Sequence, residues 1–198
     1  MRNLPKFVGF IAIIVIICFF FSTCDETNGL NSEGNGDKTP TAGLLFTLID
    51  GPAYSVSIGE ADAVHIVIPA KYNDLPVTTI KQDGFKDSAI LSVTIPHGIT
   101  KIDASAFSGC KGLTSVTIPD SVISIDYEAF RGCTGLTNVT IGNSVTSIGN
   151  FAFLGWTSSQ TIHIPFATLK EADAAWGSGL RYGCNAIIKN NAGIQVAP

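Results

Sequence analysis

Apolar side chains recur every 23 residues through the middle of this chain. Ile95, Ile118, Ile141 and Ile164 fall in one column, and Val93, Val116, Val139 and Ile162 in a second. Ile102, Ile125 and Ile148 make a third, Phe107, Phe130 and Phe153 a fourth, and Cys110, Cys133 and Trp156 a fifth. One copy of such a unit cannot bury its own apolar face, so the copies must stack into a solenoid.

A period between 20 and 29 residues, apolar at fixed places, is the pattern of a leucine-rich-repeat solenoid. Within one copy, Val116-Thr117-Ile118-Pro119 reads as a short strand with Val116 and Ile118 inward and Thr117 outward. Pro119 ends it, because proline cannot donate to a ladder. Val122-x-x-Ile125 supplies a second extended piece. Ala129-Phe130-x-x-Cys133 supplies a tight turn that inserts the ring. The predicted fold is therefore a β-rich solenoid with a short parallel sheet. Its first rung holds Ile66, Ile68, Val77, Ile80 and Phe85, with extra residues between Pro69 and Val77. Three rungs follow over 90–110, 113–133 and 136–156, and a fifth begins at Ile162 and breaks off after Pro165. The solenoid spans 63–165.

The terminal rungs need covers. Residues 44–62 alternate on either side of Asp50-Gly51-Pro52, which predicts a β-hairpin as the N-terminal cap. In 166–198, Leu169, Ala172 and Trp176 fall at helical spacing beside Lys170, Glu171 and Asp173, with Gly177 as a stop. This helix and the tail are the expected C-terminal cap.

Residues 1–24 read as a lipoprotein signal peptide. Arg2 and Lys6 precede an apolar run from Phe7 to Phe21, shorter than the roughly 20 residues a membrane-spanning helix needs. Phe21-Ser22-Thr23-Cys24 resembles a bacterial lipobox, which makes Cys24 the expected lipidation site. An ordinary secretory signal and an uncleaved anchor are the other readings. Lipid chains hold a protein at a membrane with about 0.8 kcal/mol per buried methylene. Residues 25–43 contain a single large apolar side chain, Leu30, and read as a flexible linker. The chain is thus expected to be exported and lipid-anchored at a bacterial outer membrane or cell surface.

The repeat resembles the BspA-type (Treponema pallidum-type) leucine-rich repeat, with consensus LxxIxIPxxVxxIgxxAFxxCxx, over residues 63–165. The segment from Leu45 through Tyr54-Ser55-Val56 to Ile68-Pro69 and the loop Tyr72 to Val77 resembles that family's opening module. Gly142 replaces the usual proline, and Lys81, Asp103 and Asp126 stand where glycine is common. The resemblance implies a surface or secreted binding protein, some members being adhesins for host matrix proteins or other bacteria. It carries no catalytic residues.

The 12 Lys+Arg, two of them in the leader, face 16 Asp+Glu, and no basic cluster occurs. That excludes nucleic acid, which requires a concentrated basic face. His65 and His163 lie rungs apart in different columns and cannot share a metal. Asp103 and Asp126 stack one rung apart with no third convergent group, so solvated turn residues are expected rather than a calcium or acid–base site. Cys110 and Cys133 share a column with Trp156 and are expected as buried thiols. Cys184 has no mate. No nucleophile elbow, phosphate loop or zinc-binding helix motif appears, so neither enzyme, cofactor nor small-molecule substrate is expected. The candidate site is instead the outward, concave stripe of the parallel sheet: Ser92, Thr94, Ser115, Thr117, Asn138, Thr140, Thr161 and His163. Solenoids commonly bind through such a face, and a protein partner is expected there. The Lys71–Leu75 loop and Ile123 are weaker candidates. A structural envelope protein, or a self-assembling spacer, is the competing class.

Overall fold

The computed structural model describes residues 39–196; Cys24 and the rest of the leader lie outside them. Each rung contributes a strand to one side, and the first four contribute a second strand to the other. On the first side are β3 (His65–Val67), β6 (Ser92–Thr94), β8 (Ser115–Thr117), β10 (Asn138–Thr140), β12 (Thr161–Ile164) and β13 (Ile187–Asn190). On the second are β5 (Leu75–Ile80), β7 (Lys101–Ile102), β9 (Ser124–Ile125) and β11 (Ser147–Ile148). All strand pairs between successive rungs are parallel. The turns form a third ladder: the Phe85, Phe107 and Phe130 N–H groups donate to Ala106, Ala129 and Ala152 carbonyls, each at 2.8 Å.

Register follows the columns. Val93 lies opposite Val116, Val139 opposite Ile162, and Ile102 opposite Ile125. The Phe85, Phe107, Phe130 and Phe153 rings are wholly buried and stack in file. Successive centroids lie 5.2, 5.3 and 5.7 Å apart, and the planes are within 17° of parallel. Burying one such side chain contributes roughly 1.5–3 kcal/mol. This file is the spine of the solenoid.

The sheet on the first side is not continuous. It divides into β3-β6-β8 and β10-β12-β13. Leu91, Thr114, Thr161 and Ile187 each donate a backbone N–H to the preceding rung just before or at the start of their strands. Among the described residues, Thr137 makes no such bond to Thr114. With strands of three residues, few rung-to-rung bonds hold the ladder, and among the described residues none is shared by β8 and β10. The last rung also runs further than a fixed 23-residue step foresees: β13 pairs with β12 in the register Ile162 to Ile188.

At the N-terminal end, β1 (Leu45–Ile49) and β2 (Ala53–Ser57) form the antiparallel hairpin around Asp50-Gly51-Pro52. β2 then pairs in parallel with β5, so the hairpin is built into the second sheet in addition to covering its end. The inserted loop is ordered as well. β4 (Lys71–Tyr72) folds back on Leu75–Pro76 through Asn73 and Asp74, both at positive φ, the backbone that a tight two-residue hairpin turn demands. Tyr72 stacks on Phe46 with centroids 4.1 Å apart.

At the other end, α1 (Leu169–Trp176) spans the apolar spacing Leu169, Ala172 and Trp176, and Thr168 caps it. The Thr168 hydroxyl accepts from the Glu171 N–H, and the Glu171 carboxylate accepts from the Ala167 and Thr168 N–H groups. Trp176 turns its indole onto the solenoid and donates to the Val145 carbonyl at 2.7 Å.

Candidate binding face

The outward positions on the first side form two columns, and the backbone register places the eight sequence-predicted residues in them as two paired sets, one on β6 and β8 and one on β10 and β12. Ser92 lies opposite Ser115 and Asn138 opposite Thr161 in the first, and Thr94 opposite Thr117 and Thr140 opposite His163 in the second. They lie on β6, β8, β10 and β12 because strand residues alternate between faces, and Val93, Val116, Val139 and Ile162 take the inward places. Ser115, Thr117, Asn138 and Thr140 are exposed, whereas Ser92, Thr94, Thr161 and His163 are half-buried. The interruption between β8 and β10 crosses this stripe at its middle.

The columns are longer than the repeat period alone reveals. His65 precedes Ser92 and Val67 precedes Thr94. Ile187 follows Thr161 and Lys189 follows His163. The step from Ile68 to Ile95 is lengthened by the inserted hairpin, and the step into β13 by the helix, so a fixed interval passes over these four residues. The signal that finds them is the local strand pattern on either side of each insertion. With them included, the face is uncharged at its centre, with His65 at one end and His163 beside Lys189 at the other. His65 Nδ1 lies 2.8 Å from Ser92 Oγ, which ties the first outward rung to the second.

Several polar groups outside the stripe have local partners. Lys101 pairs with Asp103 at 2.6 Å, and this contact holds the ammonium above its ordinary pKa, with Asp126 adding a smaller push in the same direction. Asp126 Oδ1 accepts from the Tyr127 N–H at 2.7 Å. Among the described residues, no three His, Cys, Asp or Glu side chains gather around one point. Cys110 and Cys133 are buried free thiols, and burial pushes both above the usual thiol pKa. The Lys71–Leu75 loop is the β4–β5 turn, and Ile123 is half exposed on the opposite side of the rung from the stripe. A shallow groove near α1 and β13 is lined by Leu169, Arg181, Cys184 and Ile188, and its Arg181 guanidinium donates to both carboxylate oxygens of Asp173.

A stack of two-stranded rungs, with an aromatic file inside and an outward polar face, defines a leucine-rich-repeat solenoid. Its repeat region, residues 78–175, belongs to the BspA-type leucine-rich repeat family, whose model matches there in six copies. A T. pallidum leucine-rich repeat protein superposes with a TM-score of 0.55 at 20% identity, covering 67% of this chain and 73% of that one. A leucine-rich repeat protein from Bacteroides capillosus gives 0.55 at 25% identity, covering 64% and 96%. One from Bacteroides ovatus gives 0.52 at 23% identity, where 74% of this chain matches only 36% of the other. No curated protein matches the chain significantly.

Proposed function

We propose that this chain is an exported, non-catalytic binding module that engages a protein partner through the outward stripe on β6, β8, β10 and β12. The observation that carries the reading is the composition of that face. Eight outward residues on two registered strand pairs, Ser92 to His163, carry hydroxyl, amide or imidazole groups and no carboxylate or ammonium. Such a surface offers hydrogen bonds at regular intervals without the desolvation cost of burying charge. Host matrix proteins or bacterial surface proteins are the partners in view. The leader and Cys24 support display from a membrane through a lipid anchor, with the linker as spacer.

Binding of the full chain to immobilised host matrix proteins and to bacterial surface proteins tests the first part. Thr117→Glu and Asn138→Lys each place a charge at the centre of the stripe. Each is expected to weaken binding at least about tenfold, a change of roughly 1.4 kcal/mol, and to leave the melting temperature unchanged. Undiminished binding in both variants would refute the assignment. For the anchor, Cys24→Ala is expected to abolish palmitate incorporation and release the protein from membranes.

A further inference from the structure

At its two tips the solenoid presents four terminal strand edges, two on each side, and this chain covers three of them itself. Along β3, the Thr41 N–H donates to the Val67 carbonyl at 3.0 Å and the Thr41 hydroxyl accepts from the Val67 N–H at 2.7 Å. Along β13, the last described residues fold back: the Val196 N–H donates to the Ile188 carbonyl at 3.0 Å and the Asn190 N–H to the Ile194 carbonyl at 2.9 Å. Beyond β11, the 3-10 turn Gly177–Leu180 presses the backbone of Gly179 against the Ile148 carbonyl, so closely that no Cβ fits there. The fourth edge, β1, has no cover among the described residues.

The direction of its free groups follows from β2. The Val56 carbonyl accepts from the Lys81 N–H at 2.9 Å, so the Val56 backbone faces the second sheet. Alternation then turns Ser55 and Ser57 toward β1, and Thr47 and Leu45 opposite them toward β2. The Phe46 and Leu48 N–H and C=O groups therefore point outward. Their strand is apolar except for Thr47, none of it is fully buried, and Leu45 and Leu48 are 53% and 58% exposed. Edges that must stay single normally carry charge, proline or a bulge. This one carries none.

We propose that β1 pairs antiparallel with β1 of a second copy of this chain, about a two-fold axis through Thr47. That register sets Phe46 opposite Leu48 and Leu45 opposite Ile49, so apolar residues meet on both faces of the joined sheet. Phe46 and Leu48 are the outward-pointing pair, and together the strands close about four main-chain hydrogen bonds. Phe46 already stacks on Tyr72, so the Leu48 of the second copy extends that aromatic cluster. The single charge at the strand's end, Asp50, falls opposite Leu44, and the two Asp50 carboxylates stand roughly 20 Å apart. The chain's own linker is a poor substitute: residues 25–38 include Asp25, Glu26, Glu33 and Asp37 and one large apolar residue, Leu30.

Sedimentation of the full chain over a wide concentration range tests this pairing. A concentration-dependent dimer is expected. Leu48→Pro removes an outward donor where an edge strand tolerates proline, and it is expected to weaken the dimer at least tenfold with circular dichroism unchanged. Thr47→Cys adds a second readout. Residues facing each other across the axis in a non-hydrogen-bonded pair have Cα atoms about 4.5 Å apart, within disulfide reach. This variant is expected to cross-link on mild oxidation, and Leu45→Cys, which faces Ile49, is not. A monomer at all concentrations up to about 0.5 mM, or equal cross-linking of the two cysteine variants, overturns the proposal. Leu48→Pro is also expected to retain binding at the distant stripe, which separates this pairing from the function proposed above.

Discussion

The indole N–H of Trp156 donates to the carbonyl of Phe130, one rung back, at 3.0 Å. Cys133 makes the same connection to the Phe107 carbonyl at 3.0 Å, and Cys110 to the Phe85 carbonyl at 2.9 Å. Ser88, at the head of the column, donates to the Phe85 carbonyl of its own rung at 2.6 Å. What unites serine, cysteine and tryptophan in one column is a donor aimed at the carbonyl of a spine phenylalanine. Apolar volume alone does not explain the set.

Serine is therefore expected to be a mild replacement in this column. Cys133→Ser keeps a donor and should cost less than about 1.5 kcal/mol, the range of a volume-conserving core change. Trp156→Ala removes both donor and ring and should cost about 3–5 kcal/mol. Urea denaturation of both variants checks the order; a serine variant as damaged as the alanine variant would contradict the shared-donor account.

Phe130 stacks on a ring above and a ring below, whereas Phe85 has a ring neighbour in the file on one side only. Phe130→Ala is expected to lose about 3–5 kcal/mol. Phe85→Ala is expected to lose less, since the end of the file has fewer groups to leave unfilled. Comparing their denaturation midpoints tests whether the spine behaves as a nearest-neighbour stack.

The columns were legible because stacking repeats each residue's surroundings at a constant interval. Ile95, Ile118 and Ile141 meet nearly the same neighbours, so selection for fit leaves the same kind of residue at each. The same regularity located the outward stripe, since every inward Val or Ile fixes the face of the residues beside it. Legibility failed where the interval changed. His65, Val67, Ile187 and Lys189 complete the stripe, but insertions of different length shift them off the period. The interruption between β8 and β10 was invisible for a different reason: it lies in the backbone pairing, and backbone bonds leave little mark on residue type. The αL turn column was not legible either, for Asp83, Ser105, Glu128 and Phe151 share a positive φ without sharing chemistry.

Gly149 shows how a column can mislead. It continues the series Asp103, Asp126, which makes aspartate look acceptable there. In the folded chain a Cβ on Gly149 would run into the backbone of Asp126 and Tyr127. Gly149→Ala is expected to cost about 1–3 kcal/mol through overpacking, and Gly149→Asp at least as much. A thermal melt in which Gly149→Asp matched the parent protein would show that this part of rung four relaxes freely.

The buried thiols give the fold a pH dependence on its alkaline side. Burial raises the pKa of Cys133 and, less strongly, of Cys110 and Cys184 above the ordinary thiol value of about 8.5. The folded chain therefore keeps its protons where the unfolded chain gives them up. A raised folded-state pKa contributes stability that is fully present below the unfolded value and is lost as pH rises from there toward the folded value. Unfolding free energy is expected to fall as pH climbs above about 8.5, and the slope should be shallower in a Cys110→Ser, Cys133→Ser double variant. The same protection is expected to keep both thiols unreactive toward a maleimide at neutral pH until denaturant is added, because the thiolate is the nucleophile. Rapid labelling of Cys133 in the native protein, or a pH profile unaltered by the double substitution, would contradict this account.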